Sequence, residues 1–451
     1  MIFRRTKKKN FNSAKFVLLG YFILMVIGTV LLLLPISRHY PLDFLTVLFT
    51  AVSAISVTGL VIVDIGDNFT IFGRGVILAL VQVGALGFMS FTTGLFFFMR
   101  KKIALSQRLA LTRDLSLHDV QGVVKLIKHV LIGTLMFQTI GILLLWTRFY
   151  PNHGLINGLG MAVFHGISAF TNAGFTIFGT AENYQNLRFY YNDNIVIFTI
   201  MLLAFIGGLG FFVWEDLMLK KFSFKKLHLH SKLVLTISFW LIIGSFALFF
   251  IAERNNPHTI GEMHLYRAAI TSLFQVIAPR SMGFSIVNQN QLMGVTVMVM
   301  IVLMTIGASS GSTGGGVRNV TAGIFFLSAI NYFKGNPRLA VFKRTIPNQQ
   351  VIVALTVVVT FVTIAMAGAT FIGLNQPDLP FAKVIFEVVS ALGSAGLSMG
   401  ITRELNPISQ MVIIFFMFFG RVGIITLSAG MFFRSDIKVR HKHPETWVLL
   451  G

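Results

Sequence analysis

Apolar runs of roughly 20 residues recur along the chain between residues 16 and 433, and short polar segments separate them. About 20 apolar residues form a helix long enough to cross a hydrocarbon core of about 30 Å. Shorter apolar segments lie between pairs of these runs and contain too few residues to cross. The pattern predicts an all-α membrane protein in which long helices alternate with short segments that enter and leave on the same side.

The short segments share a motif that occurs four times. Each copy begins with a Phe and a polar residue and ends on a Gly that a large apolar residue follows; the copies run from Phe49 to Gly59, Phe164 to Gly174, Phe274 to Gly283 and Phe386 to Gly396. Successive glycines lie 115, 109 and 113 residues apart. A fixed period of this kind indicates internal repetition. Residues 1–451 are therefore interpreted as a single polytopic membrane domain with repeats at about 14–113, 120–232, 233–344 and 348–440.

Every repeat has the same order of segments. A first long span is predicted at residues 16–34, 124–146, 233–251 and 351–372, and a second at 71–99, 195–218, 292–332 and 408–433. The motif segment lies between them and begins near Phe44, Leu155, Leu265 and Phe381. Irregular backbone at membrane depth is tolerated only where protein buries it or where it lines a cavity. The order therefore predicts eight crossings and four re-entrant loops, placed around a common pseudo-four-fold axis.

The motif glycines predict a selectivity filter for cations. A Gly reaches positive φ freely, so neighbouring carbonyls can turn toward an axis, and rings of carbonyls replace the hydration shell in potassium filters. A short helix ending before each Gly would also direct its partly negative C-terminus at the cavity. The predicted filter residues are Val57, Thr58, Gly59, Asn172, Ala173, Gly174, Ser281, Met282, Gly283, Ser394, Ala395 and Gly396. The alternative, simple turn glycines in membrane packing, explains one or two copies but not four in register.

The second span of the third repeat is too long for one crossing. As an unbroken helix, residues 292–332 would measure about 60 Å at 1.5 Å per residue, about twice what a membrane needs. Ten residues within it include five glycines and no large side chain, and they cannot hold a stable helix. We predict two helical pieces joined by an intramembrane loop below the filter, in a position suited to a gate. The predicted gate residues are Gly307, Ser309, Ser310, Gly311, Ser312, Thr313, Gly314, Gly315 and Gly316.

Further glycines lie inside the second spans, at Gly84, Gly87, Gly207, Gly210, Gly420 and Gly423. Small residues three apart usually indicate close helix packing in a bilayer. Helices that bend or unwind near the inner half of the pore are the alternative, and the sequence leaves both open.

Arg280, Arg318 and Arg421 lie in apolar or Gly-rich surroundings. A charge at the bilayer centre costs at least about 2.5–3.5 kcal/mol, so it faces a cavity or a partner. Arg421 is predicted to hold the closed state by binding carbonyls and hydroxyls of the gate loop, such as those of Ser309, Ser310, Ser312 and Thr313. The alternative is an arginine that snorkels to the inner interface.

Composition and charge support a membrane protein. The chain is 55% hydrophobic and 12% charged, against about 45–50% and about 25% in soluble domains. The net charge of +21 first suggests a nucleic-acid partner, but 26 of the 37 Lys and Arg residues lie in five blocks that flank the spans. Cytoplasmic loops retain Lys and Arg. The charge therefore predicts a cell-membrane protein with both termini in the cytoplasm, a lipid bilayer around it and no nucleic acid. The absence of Cys excludes disulfides and cysteine nucleophiles.

Other motif matches are weaker. Residues 307–311 fit G-x-S-x-G, but a nucleophile elbow requires a preceding strand and a positioned His and acid, and no P-loop lysine follows. His228 and His230 lie among lysines, which favours a solvated loop over a metal site. His165 and Glu387 directly follow the motif Phe. Ionisable groups inside a membrane are candidates for function, and hydrogen bonding to the re-entrant backbone is the alternative.

Together, these motifs resemble the Trk/Ktr/HKT superfamily of potassium transporters, most closely the bacterial Ktr pore-forming subunit, over essentially the whole chain. The resemblance rests on four segments: Ser-Val-Thr-Gly59-Leu, Ser-Ala-Phe-Thr-Asn-Ala-Gly174-Phe, Ala-Pro-Arg-Ser-Met-Gly283-Phe and Gly-Ser-Ala-Gly396-Leu. It implies that these glycines form the filter, that residues 307–316 form the gating loop and that Arg421 is the gate arginine. Met282 departs from the pattern, because it is bulkier than the residues before the other filter glycines.

The resemblance also implies potassium uptake that is often sodium-dependent, with K+ as the transported ion, Na+ as an activator and no covalent cofactor. It implies a homodimer on a cytoplasmic ring of nucleotide-binding regulatory subunits. No enzymatic activity is expected. One alternative is a sodium-conducting or potassium/sodium co-transporting member. A Ser at position 59 would favour a sodium-conducting member, so Gly59 argues against it. The other is an intramembrane hydrolase, for which the sequence offers no acid–base constellation.

Overall fold

The computed structural model describes residues 13–87, 123–179, 187–336 and 338–423. The basic blocks at residues 100–113 and 434–442, most of the block at 4–15, and the ends of the second spans predicted at 71–99 and 408–433 lie outside the described residues. So do the C-terminal ends of the first and fourth repeats. The described part is helical apart from loops, short 3-10 turns, two isolated bridges and one two-stranded hairpin, β1 (Ala340–Val341) with β2 (Arg344–Thr345).

The helices follow the order that the repeats predict. The first repeat contains α1 (Ser13–Leu33), α2 (Phe44–Ile55), the short α3 (Ile65–Asn68) and α4 (Ile71–Leu86). The second contains α5 (Val123–His153), α6 (Leu155–Thr171), α7 (Asn194–Gly208) and α8 (Phe211–Leu219). The third contains α9 (Leu229–Glu253), α10 (Leu265–Ile277), α11 (Gly294–Thr305) and α12 (Asn319–Phe333). The fourth contains α13 (Asn348–Asn375), α14 (Phe381–Gly393) and α15 (Pro407–Val422).

The long first-span helices carry large apolar side chains on their outer faces. Examples are Phe22 on α1, Leu143 on α5 and Trp240 on α9, which are 52%, 51% and 65% exposed. Large apolar surfaces of this kind mark contact with a membrane or a partner. Within the described ranges, α5, α9 and α13 are long and apolar enough to cross a membrane, and the bent pair α7 and α8 would add a fourth span. The eight crossings stay a prediction.

The motif helices α2, α6, α10 and α14 have 12, 17, 13 and 13 residues. At 1.5 Å per residue each is shorter than the roughly 30 Å of a hydrocarbon core. Every one packs against the first-span helix of its own repeat. Helices of successive repeats also touch: α4 contacts α6, α7 contacts α10, α11 contacts α14, and α15 contacts α2. The contacts between repeats therefore close into a ring.

Helices of the second spans end at their paired glycines in the first, second and fourth repeats. α4, α7 and α15 end at or just before Gly87, Gly210 and Gly423, whose φ angles are +83°, +94° and +86°. α7 and α8 meet at 93°, so the second span predicted at residues 195–218 is a bent pair of helices. The first glycine of each pair packs closely, because a Cβ there would lie 2.0–2.1 Å from a carbonyl oxygen in the last turn of the motif helix; these glycines are Gly84, Gly207 and Gly420. In the second repeat, where the chain is described on both sides of the pair, close packing falls on Gly207 and the bend lies next to Gly210.

In the third repeat, α11 ends at Thr305 and α12 begins at Asn319. The Gly-rich residues between them form a loop without helix, as their composition predicts. A parallel bridge between Ile306 and Val317 brings the two ends of this loop together. Residues 306–318 are called the "gate loop" below, after the role that the sequence predicts for residues 307–316.

Candidate functional site

The backbone at the four motif glycines has an unusual and repeated conformation. φ is +92°, +70°, +73° and +77° at Gly59, Gly174, Gly283 and Gly396. φ is also positive two residues before each glycine, at Val57, Asn172, Ser281 and Ser394, with values of +56°, +62°, +69° and +49°. A β-branched residue with positive φ, such as Val57, is a genuine outlier. Alternation of left-handed and right-handed residues aligns successive peptide groups on one side of the chain.

The four glycines lie against one another in chain order. A Cβ added to Gly59 would lie 2.2 Å from the carbonyl oxygen of Ala173, and one added to Gly174 would lie 2.6 Å from Cα of Gly283. At Gly283 the added atom would lie 3.3 Å from the carbonyl oxygen of Ala395. At Gly396 it would lie 2.2 Å from the carbonyl oxygen of Thr58. The first, second, third and fourth segments therefore form a closed ring into which only glycine fits.

Buried hydrogen bonds within the first and second repeats stabilise their segments. The backbone N–H of Gly59 donates to Ser53 Oγ at 3.1 Å, and the Ser168 hydroxyl donates to the carbonyl of Phe175 at 2.9 Å. The hydroxyls of Ser56 and Thr58 lie 2.7 Å apart. Met282, the residue that departs from the family pattern, is 1% exposed and lies in the hydrophobic core.

The four motif glycines and the residues that follow them line one cavity. All four motif glycines line it, together with Asp64, Arg188, Asn288, Thr402 and Arg403. Asp64 caps α3 by accepting a hydrogen bond from Asp67 N at 3.0 Å. Burial raises the pKa of the Asp64 carboxyl, although this hydrogen bond acts in the opposite direction. The cavity ends on the ring of glycines and is called the vestibule below.

The gate loop contacts the other side of the ring. The Asn172 amide donates to Thr313 Oγ1 at 2.7 Å, and the N–H of Gly315 donates to Ser281 Oγ at 3.3 Å. A Cβ on Gly315 would lie 2.6 Å from Ser394 Oγ. The loop therefore touches the second, third and fourth segments directly.

The bend between α7 and α8 supplies further attachment points for the gate loop. Ser309 N donates to the carbonyl of Gly208 at 3.0 Å, and Thr313 N donates to the carbonyl of Gly207 at 3.2 Å. In the reverse direction, Phe211 N donates to the carbonyl of Gly311 at 2.8 Å. These backbone groups are free to bond the loop because the helix is interrupted at this point.

Arg421 is 8% exposed and binds four carbonyl groups. Its guanidinium donates to the carbonyls of Thr313 and Gly314 in the gate loop and to those of Gly84 and Ala85 in the last turn of α4. The bonds to Gly314 and Ala85 measure 3.2 and 2.9 Å. Cations are favoured beside the carbonyls that end a helix. Arg421 thus joins the first repeat to the gate loop of the third.

Three of the four hydroxyls expected as partners of Arg421, those of Ser309, Ser312 and Thr313, bond elsewhere. Ser312 Oγ donates to the carbonyl of Ser309 at 2.7 Å, Ser309 Oγ accepts from the Asn319 amide at 3.0 Å, and Thr313 Oγ1 accepts from Asn172. The carbonyls of Gly84 and Ala85 were not expected at all, since a backbone acceptor has no signal in the sequence.

Sequence reasoning gave no specific partners to several residues that stabilise the gate loop from within or at its C-terminal end. Arg318 donates to the carbonyls of Ser309 and Gly314 at 3.3 and 2.5 Å. The amide of Asn319 donates to Ser238 Oγ, which also accepts from Arg280, both at 3.0 Å. The isolated charges of Arg280 and Arg318 were the signal that could have pointed to them.

A membrane protein with a ring of glycine backbone between a vestibule and a buried loop belongs to the class of ion transport proteins. Residues 3–435 match the TrkH family of cation transport proteins, and the chain belongs to that family. This membership establishes the class as transport and supports a multi-pass position in the membrane.

Particular relatives cover nearly the whole chain. It is 38% identical over 416 residues to the Ktr system potassium uptake protein B of Bacillus subtilis, a match that covers 92% of each protein. It is 34% identical over 462 residues to the potassium/sodium uptake protein NtpJ of Enterococcus hirae, with 100% of each covered. The crystal structure of the potassium transporter TrkH from Vibrio parahaemolyticus superposes with a TM-score of 0.74 and 15% identity, over 94% of this chain and 86% of that one. That likeness shows a shared fold.

Proposed function

We propose that this protein takes up potassium across the cell membrane through a pore whose filter is built from backbone carbonyls around Gly59, Gly174, Gly283 and Gly396. The single observation that carries the proposal is the closed ring of these segments, one from each repeat, at the end of one vestibule. A ring of carbonyls can replace the hydration shell of a cation without any charged side chain. The relatives named for potassium uptake support the same ion.

The ring supports a pseudo-four-fold pore with eight crossings. Helices of successive repeats touch in cyclic order. In the sequence, the positively charged blocks precede the first span and follow the second span of each repeat, on one predicted side of the membrane. Cytoplasmic loops retain Lys and Arg, so that side is assigned to the cytoplasm.

The gate loop is the proposed barrier to ion flow. It lies against the filter segments on the side away from the vestibule, and Arg421 links it to α4. A fixed positive charge at this depth also repels cations, because the interaction is strong where water is excluded. Opening the pore requires this loop to move away from Asn172, Ser281 and Arg421.

The proposed partners are a second copy of the chain and a cytoplasmic ring of nucleotide-binding regulatory subunits. The family resemblance implies both, and the name of the Bacillus subtilis relative places that protein in a Ktr system. Sodium is the proposed activator of potassium uptake. A second candidate function, joint uptake of potassium and sodium, is favoured by the name of the Enterococcus hirae relative.

The test is uptake of rubidium, as a tracer for potassium, into proteoliposomes that contain the purified protein. We expect rubidium uptake that excess external potassium inhibits and that excess sodium does not inhibit, and a rise in rate when sodium is present at low concentration. Equal inhibition by potassium and sodium would reject a potassium-selective filter. Sodium uptake coupled to rubidium uptake would instead favour the second candidate function.

A further inference from the structure

Each motif helix has a polar residue directly after its Phe, and all four are at most 1% exposed; they are Thr50, His165, Gln275 and Glu387. The Thr50 hydroxyl donates within its own helix, to the carbonyl of Thr46 at 2.9 Å. His165 Nε2 accepts from Ile177 N at 3.4 Å. The Gln275 amide has no hydrogen-bond partner among the described residues. Glu387 differs from the other three because it places a carboxyl group in the buried layer next to the filter.

Glu387 forms a closed triangle with two hydroxyls. Its Oε2 lies 2.7 Å from Ser398 Oγ, its Oε1 contacts Thr402 Oγ1, and the two hydroxyl oxygens lie 2.9 Å apart. Ser398 Oγ also accepts from Gly400 N at 3.0 Å. Ser398 and Thr402 follow Gly396 in the chain and line the vestibule beside it. The triangle therefore joins the fourth motif helix to the segment that leaves the filter.

The three sides of the triangle need three protons. Each hydroxyl has one proton to donate, so an ionised carboxylate would use both and leave the contact between Ser398 and Thr402 with two facing lone pairs. A protonated carboxyl supplies the third proton: it donates to Thr402, Thr402 donates to Ser398, and Ser398 donates to the other carboxyl oxygen. Every donor and acceptor of the triangle is then satisfied.

The surroundings of Glu387 agree with the neutral form. Within the described ranges, no Lys or Arg forms an ion pair with it. A buried charge without a partner costs several kcal/mol, and such groups neutralise instead.

We propose that Glu387 is held as a neutral carboxylic acid and positions the fourth filter segment through Ser398 and Thr402. This proposal rests on the proposed potassium filter and adds a positioning residue to it. Without the triangle, the turn after Gly396 loses its link to α14. The carbonyls of Ser394 and Ala395 then gain freedom to adapt to the smaller sodium ion.

The test compares Glu387→Gln with Glu387→Ala. An amide donates through nitrogen and accepts through oxygen, so Glu387→Gln keeps the closed triangle and should keep the ratio of potassium to sodium permeability within about twofold of wild type. Glu387→Ala removes two links of a buried network, and the ratio should fall roughly tenfold, equivalent to one or two net hydrogen bonds. Loss of selectivity in both variants would show an ionised carboxylate acting by its charge and would overturn the proposal. Unchanged selectivity in Glu387→Ala would overturn the positioning role.

Thr402→Val provides a second variant in case Glu387→Ala does not fold. It keeps the shape of the side chain and removes the hydroxyl, and it should lower selectivity in the same direction. If Thr402→Val retains wild-type selectivity, the triangle has no positioning role.

Infrared spectroscopy gives a readout that does not depend on transport. Wild-type protein at neutral pH should show the carbonyl stretch of a protonated carboxylic acid, and Glu387→Gln should lack it. Absence of this band from wild type would refute the neutral acid. If the band is present but wild-type protein does not distinguish potassium from sodium, the proposed filter fails while the neutral acid stands.

Glu253 offers a matched control for the infrared measurement. It is 0% exposed and accepts from Asn256 Nδ2 at 2.7 Å, Thr259 Oγ1 at 2.7 Å and Met293 N at 2.8 Å. Each of these donors brings its own hydrogen, so the hydrogen bonds of this site need no proton from the carboxyl group. Glu253→Gln should therefore leave the band and the selectivity unchanged. A band that disappears with Glu253→Gln and persists with Glu387→Gln would assign the neutral acid to the wrong residue.

Discussion

Replacing Arg421 by Ala should open the pore, because the arginine joins the gate loop to α4 through four carbonyl groups. Two of these belong to Thr313 and Gly314 in the loop, and two belong to Gly84 and Ala85. The alanine side chain reaches none of them. The loop then keeps its contacts to the filter and to α7 but loses its link to the first repeat.

The size of the effect follows from the bonds to the loop. A hydrogen bond to a charged group contributes about 1.5–3 kcal/mol, so the loss of two removes at least about 3 kcal/mol from the closed state. Since about 1.4 kcal/mol is a factor of ten, the ratio of closed to open protein should fall roughly 100-fold. An ammonium group can replace one of the two loop bonds, so Arg421→Lys should lower this ratio only about tenfold.

The assay is rubidium uptake into proteoliposomes without a regulatory partner, at equal amounts of folded protein. Basal uptake should rise in the order wild type, Arg421→Lys, Arg421→Ala. Arg254→Ala is the matched control, because Arg254 also donates to three backbone carbonyls, those of Ile260, Gly261 and Met263, outside the proposed pathway. Its uptake should equal that of wild type. Equal uptake by all the proteins would refute the link to gating and leave Arg421 as an anchor at the inner interface.

Three further perturbations test the filter and the gate loop. Gly59→Ser should lower the ratio of potassium to sodium permeability, because the added Cβ would lie 2.2 Å from a carbonyl oxygen and φ is +92°. Gly75→Ser is the control and should leave the ratio unchanged, because no atom lies within 4 Å of its Cβ. An unchanged ratio in Gly59→Ser would remove Gly59 from the filter. Deletion of residues 309–315 should raise basal uptake and weaken its dependence on a cytoplasmic partner, and a folded variant that conducts no faster would count against a gate. Asn172→Ala breaks the bond to Thr313, worth about 1 kcal/mol, so basal uptake should rise several-fold; no rise would mean that this bond persists in the open state.

The helical order of the chain and the places where helices stop follow from the amino-acid sequence alone. Long apolar runs and short apolar segments predicted the helices of each repeat, and five glycines in ten residues predicted the break between α11 and α12. These features depend on local composition, since helix stability and helix length are properties of neighbouring residues. The repeated Phe-to-Gly spacing also marked four equivalent backbone positions, because only Gly occupies positive φ without cost.

What those positions contact depends on packing between distant segments. The positive φ of Val57 and Ser394 has no signal in the sequence, because neither residue type prefers it and the surrounding segments impose it. The 93° turn after α7 and the bonds from Arg421 to α4 likewise arise where distant segments meet. The protons of the Glu387 triangle could be counted only once its three side chains were seen together. Hydrogen bonds act over about 3 Å, so partners far apart in the chain are set by packing and not by residue type.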